Sequence, residues 1–208
     1  MQLASVARIA GVALILGVTP LSCSSASADP CPVDEVVFAR GTGEPPGLGL
    51  VGQAFVDSLQ SHVPGRSIAV YPVNYPAAND YATSASAGAD DVSAHVQDIV
   101  GRCPNTKTVL GGYSQGASVI ELATDRMPPP TPDHVAAVVL FGRPASGLSS
   151  TLWGGPLPEI NPAYSSETRD YCNPDDLICS DGADLGAHLN YVQTGVTDQA
   201  AAFAASRL

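Results

Sequence analysis

The chain is poor in basic residues, with nine Lys and Arg against 20 Asp and Glu in 208 positions and a net charge of −11. That balance leaves no basic patch. Nucleic acids and anionic membrane surfaces are therefore poor partners, since both are bound through clustered Lys and Arg. Long hydrophobic runs are also lacking. The longest, Ile9 to Val18, falls well short of the roughly 20 residues that cross a bilayer as a helix. There is no C-x2-C pair among the cysteines, which argues against a structural zinc site. No internal repeat and no linker-like stretch divides the chain, so a single domain is expected.

The first residues carry a different signal. Arg8, the apolar stretch Ile9 to Val18, the breaker Pro20 and the A-x-A site Ala26-Ser27-Ala28 together read as a secretory signal peptide over residues 1–28. The catalytic domain is then residues 29–208, an exported chain with a net charge of about −12 once Arg8 is removed. Cys23 leaves with the leader. The four remaining cysteines, an even number in an exported protein, imply two disulfides. Cys172 and Cys179 most simply join each other, which leaves Cys31 with Cys103.

Strand-like and helix-like stretches alternate along the mature chain. Strands are expected at Glu35 to Ala39, Ser67 to Val73, Thr106 to Gly111, His134 to Phe141 and Ser166 to Tyr171. Helices are expected at Val51 to Val63, Ser84 to Gly101, Ser114 to Asp125 and Thr197 to Arg207. Gly142 to Tyr164 reads as an ordered loop. Alternation of this kind implies an α/β fold, a parallel sheet covered by helices on both faces.

One motif stands at the third strand-to-helix junction: Gly112-Tyr113-Ser114-Gln115-Gly116. A chain with this much Gly and Ser produces G-x-S-x-G by chance about 0.2 times, so the pattern alone is weak. Its position between Thr108-Val109-Leu110 and a helical run strengthens it, because a nucleophile elbow needs a strand before and a helix after. Ser114 is thus the candidate nucleophile. Its base must come from four histidines. His62 and His95 fall on helices, and His134 precedes a strand and so lies at the amino end of the sheet. His188 alone follows the last strand, in an expected loop on the side where open parallel sheets do chemistry. Asp170, Asp175, Asp176, Asp181 and Asp184 lie between serine and histidine in the chain. Asp175 and Asp176 stand out, because the Cys172–Cys179 ring would hold them rigidly, and the residues do not choose between these two. The oxyanion needs two donors, and the amides of Gln115 and Thr42 are the candidates. Arg40, two residues before Thr42, is expected to pair structurally with a carboxylate, and Leu148, Leu152, Trp153, Leu177, Ile178, Leu185 and Leu189 are candidates to line an acyl groove.

With these motifs in place, the chain resembles the cutinase family, in particular the cutinase-like secreted esterases of mycolic-acid actinobacteria. The likeness rests on Phe38-Ala39-Arg40-Gly41-Thr42, Val73-Asn74-Tyr75-Pro76, the elbow, Cys172-Asn173-Pro174-Asp175-Asp176-Leu177-Ile178-Cys179 and Ala187-His188-Leu189, in that order. It implies a small α/β-hydrolase fold with a five-stranded parallel sheet and little or no lid. It implies Asp176 as the acid beside Ser114 and His188, oxyanion donors at Thr42 and Gln115, and the disulfides Cys31–Cys103 and Cys172–Cys179. One departure is Asp175, where relatives often carry Gly.

The expectation is a secreted, monomeric serine esterase that cleaves short- to medium-chain fatty acid esters through an acyl-enzyme, with an ester or lipid substrate and neither metal nor organic cofactor. A carbohydrate deacetylase and an acyltransferase are rival readings on the same fold, and a secreted binding protein is a rival of another class.

Overall fold

The computed structural model describes residues 1–2, 31–129 and 131–208. The leader expected over residues 1–28, with Cys23, lies almost wholly outside the described residues. By its contacts the chain divides into Met1–Pro30 and Cys31–Leu208, and every strand and helix among the described residues belongs to the second unit.

Five strands form one parallel sheet: β1 (Asp34–Ala39), β2 (Ile68–Pro72), β3 (Lys107–Tyr113), β4 (Val135–Phe141) and β5 (Thr168–Tyr171), in the spatial order β2-β1-β3-β4-β5. The helices are α1 (Gly49–His62), α2 (Tyr81–Arg102), α3 (Gln115–Arg126), α4 (Gly147–Trp153), α5 (Leu185–Leu189) and α6 (Val196–Ala205), with short 3₁₀ turns at Thr131–His134 and Pro162–Tyr164. The order places a switch point between β1 and β3: from β1 the chain winds one way to β2, and from β3 it winds the other way to β4. Crevices of this sort at strand carboxyl ends are where such sheets place ligands.

Alternation along β1 shows why both faces are covered. Val37 and Ala39 belong to a core with Ala89, Val92 and Val96 of α2 and Val119 and Ile120 of α3. Val36 and Phe38 belong to the opposite core with Phe55 and Leu59 of α1 and Ala200, Ala201 and Ala204 of α6. All six β1 residues are buried, as expected of a strand with helices on both sides. The edge strand β5, Thr-Arg-Asp-Tyr, is half-exposed and polar, which suits a sheet edge.

Both disulfides are present, Cys31–Cys103 and Cys172–Cys179. The first ties the entry to β1 to the end of α2, and the second closes a short ring after β5. Chain entropy assigns the longer loop about 4 kcal/mol and the ring about 2.5 kcal/mol. Among the described residues no helix is long and apolar enough to cross a membrane.

Two expectations are corrected. Gly142 to Tyr164 is not purely loop: it contains α4, whose Ser146 side chain caps the helix by accepting from the Ser149 amide, and the 3₁₀ turn capped by Asn161. His188 sits on the short helix α5, capped by Asp184, rather than on a loop.

Candidate active site

The elbow is built by crowding. A Cβ on Gly112 would overlap the Gly116 carbonyl, and one on Gly116 would overlap the Ala39 carbonyl of β1, so α3 can start this close to the sheet only over glycine. Between them Ser114 adopts φ 54° and ψ −121°, a conformation costly for a non-glycine residue, and its amide donates to the Phe141 carbonyl of β4 at 2.8 Å. The strained turn lifts the Ser114 side chain off the carboxyl end of the central strand, half-exposed, at the N-terminus of α3.

Three side chains meet there. His188 Nε2 lies 2.9 Å from Ser114 Oγ, and His188 Nδ1 lies 2.8 Å from Asp176 Oδ2. Asp176 is fully buried, and its other oxygen accepts from the Ile178 amide at 2.8 Å. Burial works to raise the Asp176 pKa. Hydrogen bonds donated by His188, Tyr191 and the Ile178 amide outweigh it and hold the carboxyl below its ordinary value, so this acid stays ionised. Asp175 is exposed and sits at φ 63°, in the left-handed region that favours glycine. Its side chain does not enter the cluster.

The imidazole is seated by aromatic neighbours that the sequence did not reveal. The Tyr113 ring stacks on it at 5.2 Å between centroids, while the Tyr113 hydroxyl donates to the His188 carbonyl at 2.7 Å. The Tyr191 ring presents its edge at 6.2 Å, and the Tyr191 hydroxyl donates to Asp176 Oδ2 at 2.7 Å. Gly142, just past β4, leaves the space: a Cβ there would lie 2.9 Å from His188 Cε1. Only tertiary contact links Tyr191 and Gly142 to Ser114, so no spacing rule could have found them. Tyr113 lies inside the elbow motif, but at its unrestricted position.

The loop after β1 carries Thr42, half-buried and lining the same pocket as Ser114 and Gln115, and its Oγ1 is buried with no partner among the described residues. Glu44 braces this loop from within, accepting from the Gly41 amide at 2.6 Å and the Leu50 amide at 2.8 Å. Arg40 is buried, and the sequence suggested pairing with a carboxylate. Its guanidinium instead donates to backbone carbonyls, those of Glu44 and Tyr75 at 2.8 Å each, which lashes the loop to the segment after β2. Gln115 is buried, and its side chain donates to the Ala78 carbonyl at 2.8 Å. Its backbone amide, in the first turn of α3, has no intrahelical acceptor.

Ser114 and His188 open into a cavity of about 370 Å³, with Asp176 buried behind the imidazole. Of the apolar residues considered for an acyl groove, Leu152, Trp153, Ile178, Leu185 and Leu189 line it. Leu148 and Leu177 do not, whereas Leu50, Val51 and Val192 join from elements the sequence had not connected to the site.

Comparison with known proteins agrees over nearly the full length. A family model described as Cutinase matches residues 30–208. The chain is 60% identical over 209 residues to "Carboxylesterase Culp1" of Mycobacterium tuberculosis, covering 98% of this chain and 96% of that protein. It is 48% identical over 217 residues to "Phospholipase Culp4" of the same organism, covering 100% and 92% respectively. Among solved structures, a Trichoderma reesei cutinase in complex with a C11Y4 phosphonate inhibitor is 36% identical at a TM-score of 0.69, covering 86% of this chain and 77% of that one.

Proposed function

The chain belongs to the cutinase family and is a serine esterase, and from that premise we propose that Ser114 is its nucleophile, His188 its general base and Asp176 the carboxylate that orients the base. The observation that carries this assignment is the unbroken run from Ser114 Oγ through both nitrogens of His188 to Asp176, at 2.9 and 2.8 Å.

A hydroxyl is a poor nucleophile until a base takes its proton. His188 Nε2 accepts that proton as Ser114 Oγ attacks the ester carbonyl, and ionised Asp176 stabilises the imidazolium through Nδ1. The tetrahedral oxyanion lies against the amides of Gln115 and Thr42. The unpartnered Thr42 hydroxyl adds a third donor, and the α3 N-terminus adds a favourable field. His188 then protonates the departing alcohol, leaving an acyl group on Ser114. Water, deprotonated by His188, attacks the acyl carbon and releases the acid.

The substrate class we assign is short- to medium-chain fatty acid esters. The cavity is small for a ligand site and lined mainly by aliphatic and aromatic side chains, which supports an acyl chain of modest length. The same wall argues against a carbohydrate deacetylase, whose substrate presents a polar face. A phospholipid ester is a further candidate, on the likeness to Culp4. The two disulfides support export, with residues 1–28 as the cleaved leader, and the working state is taken to be a monomer acting without cofactor.

The test is a series of nitrophenyl esters from acetate to palmitate on wild type and Ser114→Ala, with a phosphonate probe read by mass. We expect a preference between butyrate and decanoate, a loss of about 10⁴-fold or more in kcat for Ser114→Ala, and probe mass on Ser114 alone. Activity retained by Ser114→Ala would overturn the assignment. Acetyl preference with acetate release from polysaccharide would favour the deacetylase, and an added alcohol outcompeting water would favour the acyltransferase.

A further inference from the structure

We infer that Tyr191 is a positioning residue of this site, one whose hydroxyl shares Asp176 Oδ2 with His188 and so sets the pH at which the base becomes active. The inference rests on the proposed roles of Ser114, His188 and Asp176.

Tyr191 is fully buried, three residues after His188 and past the end of α5. Its hydroxyl accepts from the Asn173 amide at 3.0 Å and donates to Asp176 Oδ2 at 2.7 Å. His188 Nδ1 reaches the same oxygen at 2.8 Å. Two donors therefore divide the charge of one carboxylate oxygen, while the second oxygen is occupied by the Ile178 amide. Burial, the largest cause, raises the Tyr191 pKa well above its ordinary value, so the phenol keeps its proton and acts as a fixed donor.

A donor on Oδ2 has two opposed consequences. It stabilises the buried carboxylate, which keeps Asp176 ionised. It also withdraws charge that would otherwise stabilise the imidazolium, which makes His188 easier to deprotonate. Removing the Tyr191 hydroxyl leaves His188 as the sole side-chain donor to Oδ2. The imidazolium is then held more tightly, and the acid limb of the rate profile moves to higher pH. Few other groups could produce that movement. Tyr113 faces the imidazole from β3 with its proton held by burial. Ser114 faces it from the elbow, and Glu44 lines the same pocket from the loop after β1. Asp175 is exposed, and Asp184 pairs through its backbone with Asp176 and through its side chain with the Gly186 amide.

The experiment is the pH dependence of kcat/KM, from pH 4 to 9, for wild type, Tyr191→Phe and a protein carrying 3-fluorotyrosine at position 191, with Ser114→Ala as control. Tyr191→Phe is expected to move the acid limb upward by about half to one pH unit, the size of one net hydrogen bond. At neutral pH it should lower kcat several-fold with KM nearly unchanged. Fluorotyrosine keeps the hydroxyl and makes it a stronger donor, so the limb should move downward. A uniform loss across all pH with an unmoved limb assigns Tyr191 a packing role only and overturns the inference. Should Tyr191→Phe fail to fold, the fluorotyrosine protein decides, and an unmoved limb there overturns it equally. If Ser114→Ala stays active, the site assignment itself has failed. If that control is dead and both limbs stay in place, only the role of Tyr191 has failed.

Discussion

The two halves of the site are held in place by different physics. The elbow half, Gly112 to Gly116, rises from the most central strand, between the fully buried β1 and the almost fully buried β4. Its shape is fixed by exclusion, because backbone on both sides leaves no room for a Cβ. The acid–base half, Cys172 to Tyr191, hangs beyond the half-exposed edge strand β5 and is fixed by tethers. These include one disulfide, the Asn173 side chain donating to the Ala187 carbonyl at 2.8 Å, the Tyr113 hydroxyl on the His188 carbonyl, and three donors on Asp176. An exclusion-built half should fail abruptly when volume is added. A tether-built half should keep its fold and lose function in proportion to the tether removed.

The sharpest break of that contrast is Gly116→Ala. The added methyl overlaps the Ala39 carbonyl and presses on the Arg40 carbonyl at 2.6 Å. Both acceptors are backbone of β1 and the loop that carries Thr42, so neither can rotate away. A destabilisation of about 3 kcal/mol or more is expected, seen by circular dichroism as a Tm lowered by roughly 10 °C or as loss of soluble protein. A variant that melts with the wild type would show that the elbow is not held by exclusion.

Next in size is Asp176→Asn, on the tethered half. The substitution keeps the volume of a fully buried side chain while removing the charge that, in its proposed role, stabilises the imidazolium. We expect the fold to persist and kcat to fall by about 10³- to 10⁴-fold. Asp175→Asn is the partner measurement. Asn tolerates the left-handed backbone, and the exposed carboxyl has no role in the cluster, so the rate should stay within about two-fold of wild type. The reverse pattern would move the acid to Asp175 and undo the division of roles drawn from the geometry.

The same contrast explains what was legible in the sequence. Exclusion writes itself into neighbouring positions: a strand, a glycine on each side of Ser114 at a distance of two, then a helix. The elbow, the alternation of strands and helices and the side of the sheet that carries His188 could accordingly be read from local pattern. Tethers leave no such trace. Asp175 and Asp176 are chemically identical in a turn, and only the resemblance to a family, and then the burial of one of them, separates the two. Tyr113 and Gly142 meet His188 purely by tertiary contact, and nothing local shows that the Tyr191 hydroxyl, three residues along the chain, reaches Asp176. Arg40 misled for a related reason, because a buried cation can be satisfied by carbonyls as well as by a carboxylate, and carbonyls are invisible in a sequence. Helix α4 escaped notice because its seven residues give too short a periodicity among flanking glycines and prolines.

The smallest expected effect lies on the elbow half but away from the chemistry. Glu121 is fully buried on α3, near the middle of the helix that starts at the elbow. Burial raises its pKa from 4.5 to about 8, and Arg143, which donates to Oε1 at 3.2 Å, pulls it back only in part because it also serves Asp170. Oε2 has no partner among the described residues. A carboxyl raised in the folded state binds its proton more tightly than in the unfolded chain. Its contribution is therefore fully present below about pH 4.5 and is lost as pH climbs through about 8. Glu121→Gln keeps a hydrogen-bonding group for Arg143 and removes the titration. The wild-type Tm should fall between pH 5 and 9 by more than that of the variant, and the two curves should separate most at the alkaline end, with the variant the more stable. Ester turnover at pH 7 should be unchanged, since neither Glu121 nor Arg143 lines the pocket. Parallel Tm curves would show that Arg143 neutralises Glu121 across the whole range. A fall in turnover would show instead that α3 transmits its charge state to the elbow, which would bring part of the exclusion-built half under electrostatic control.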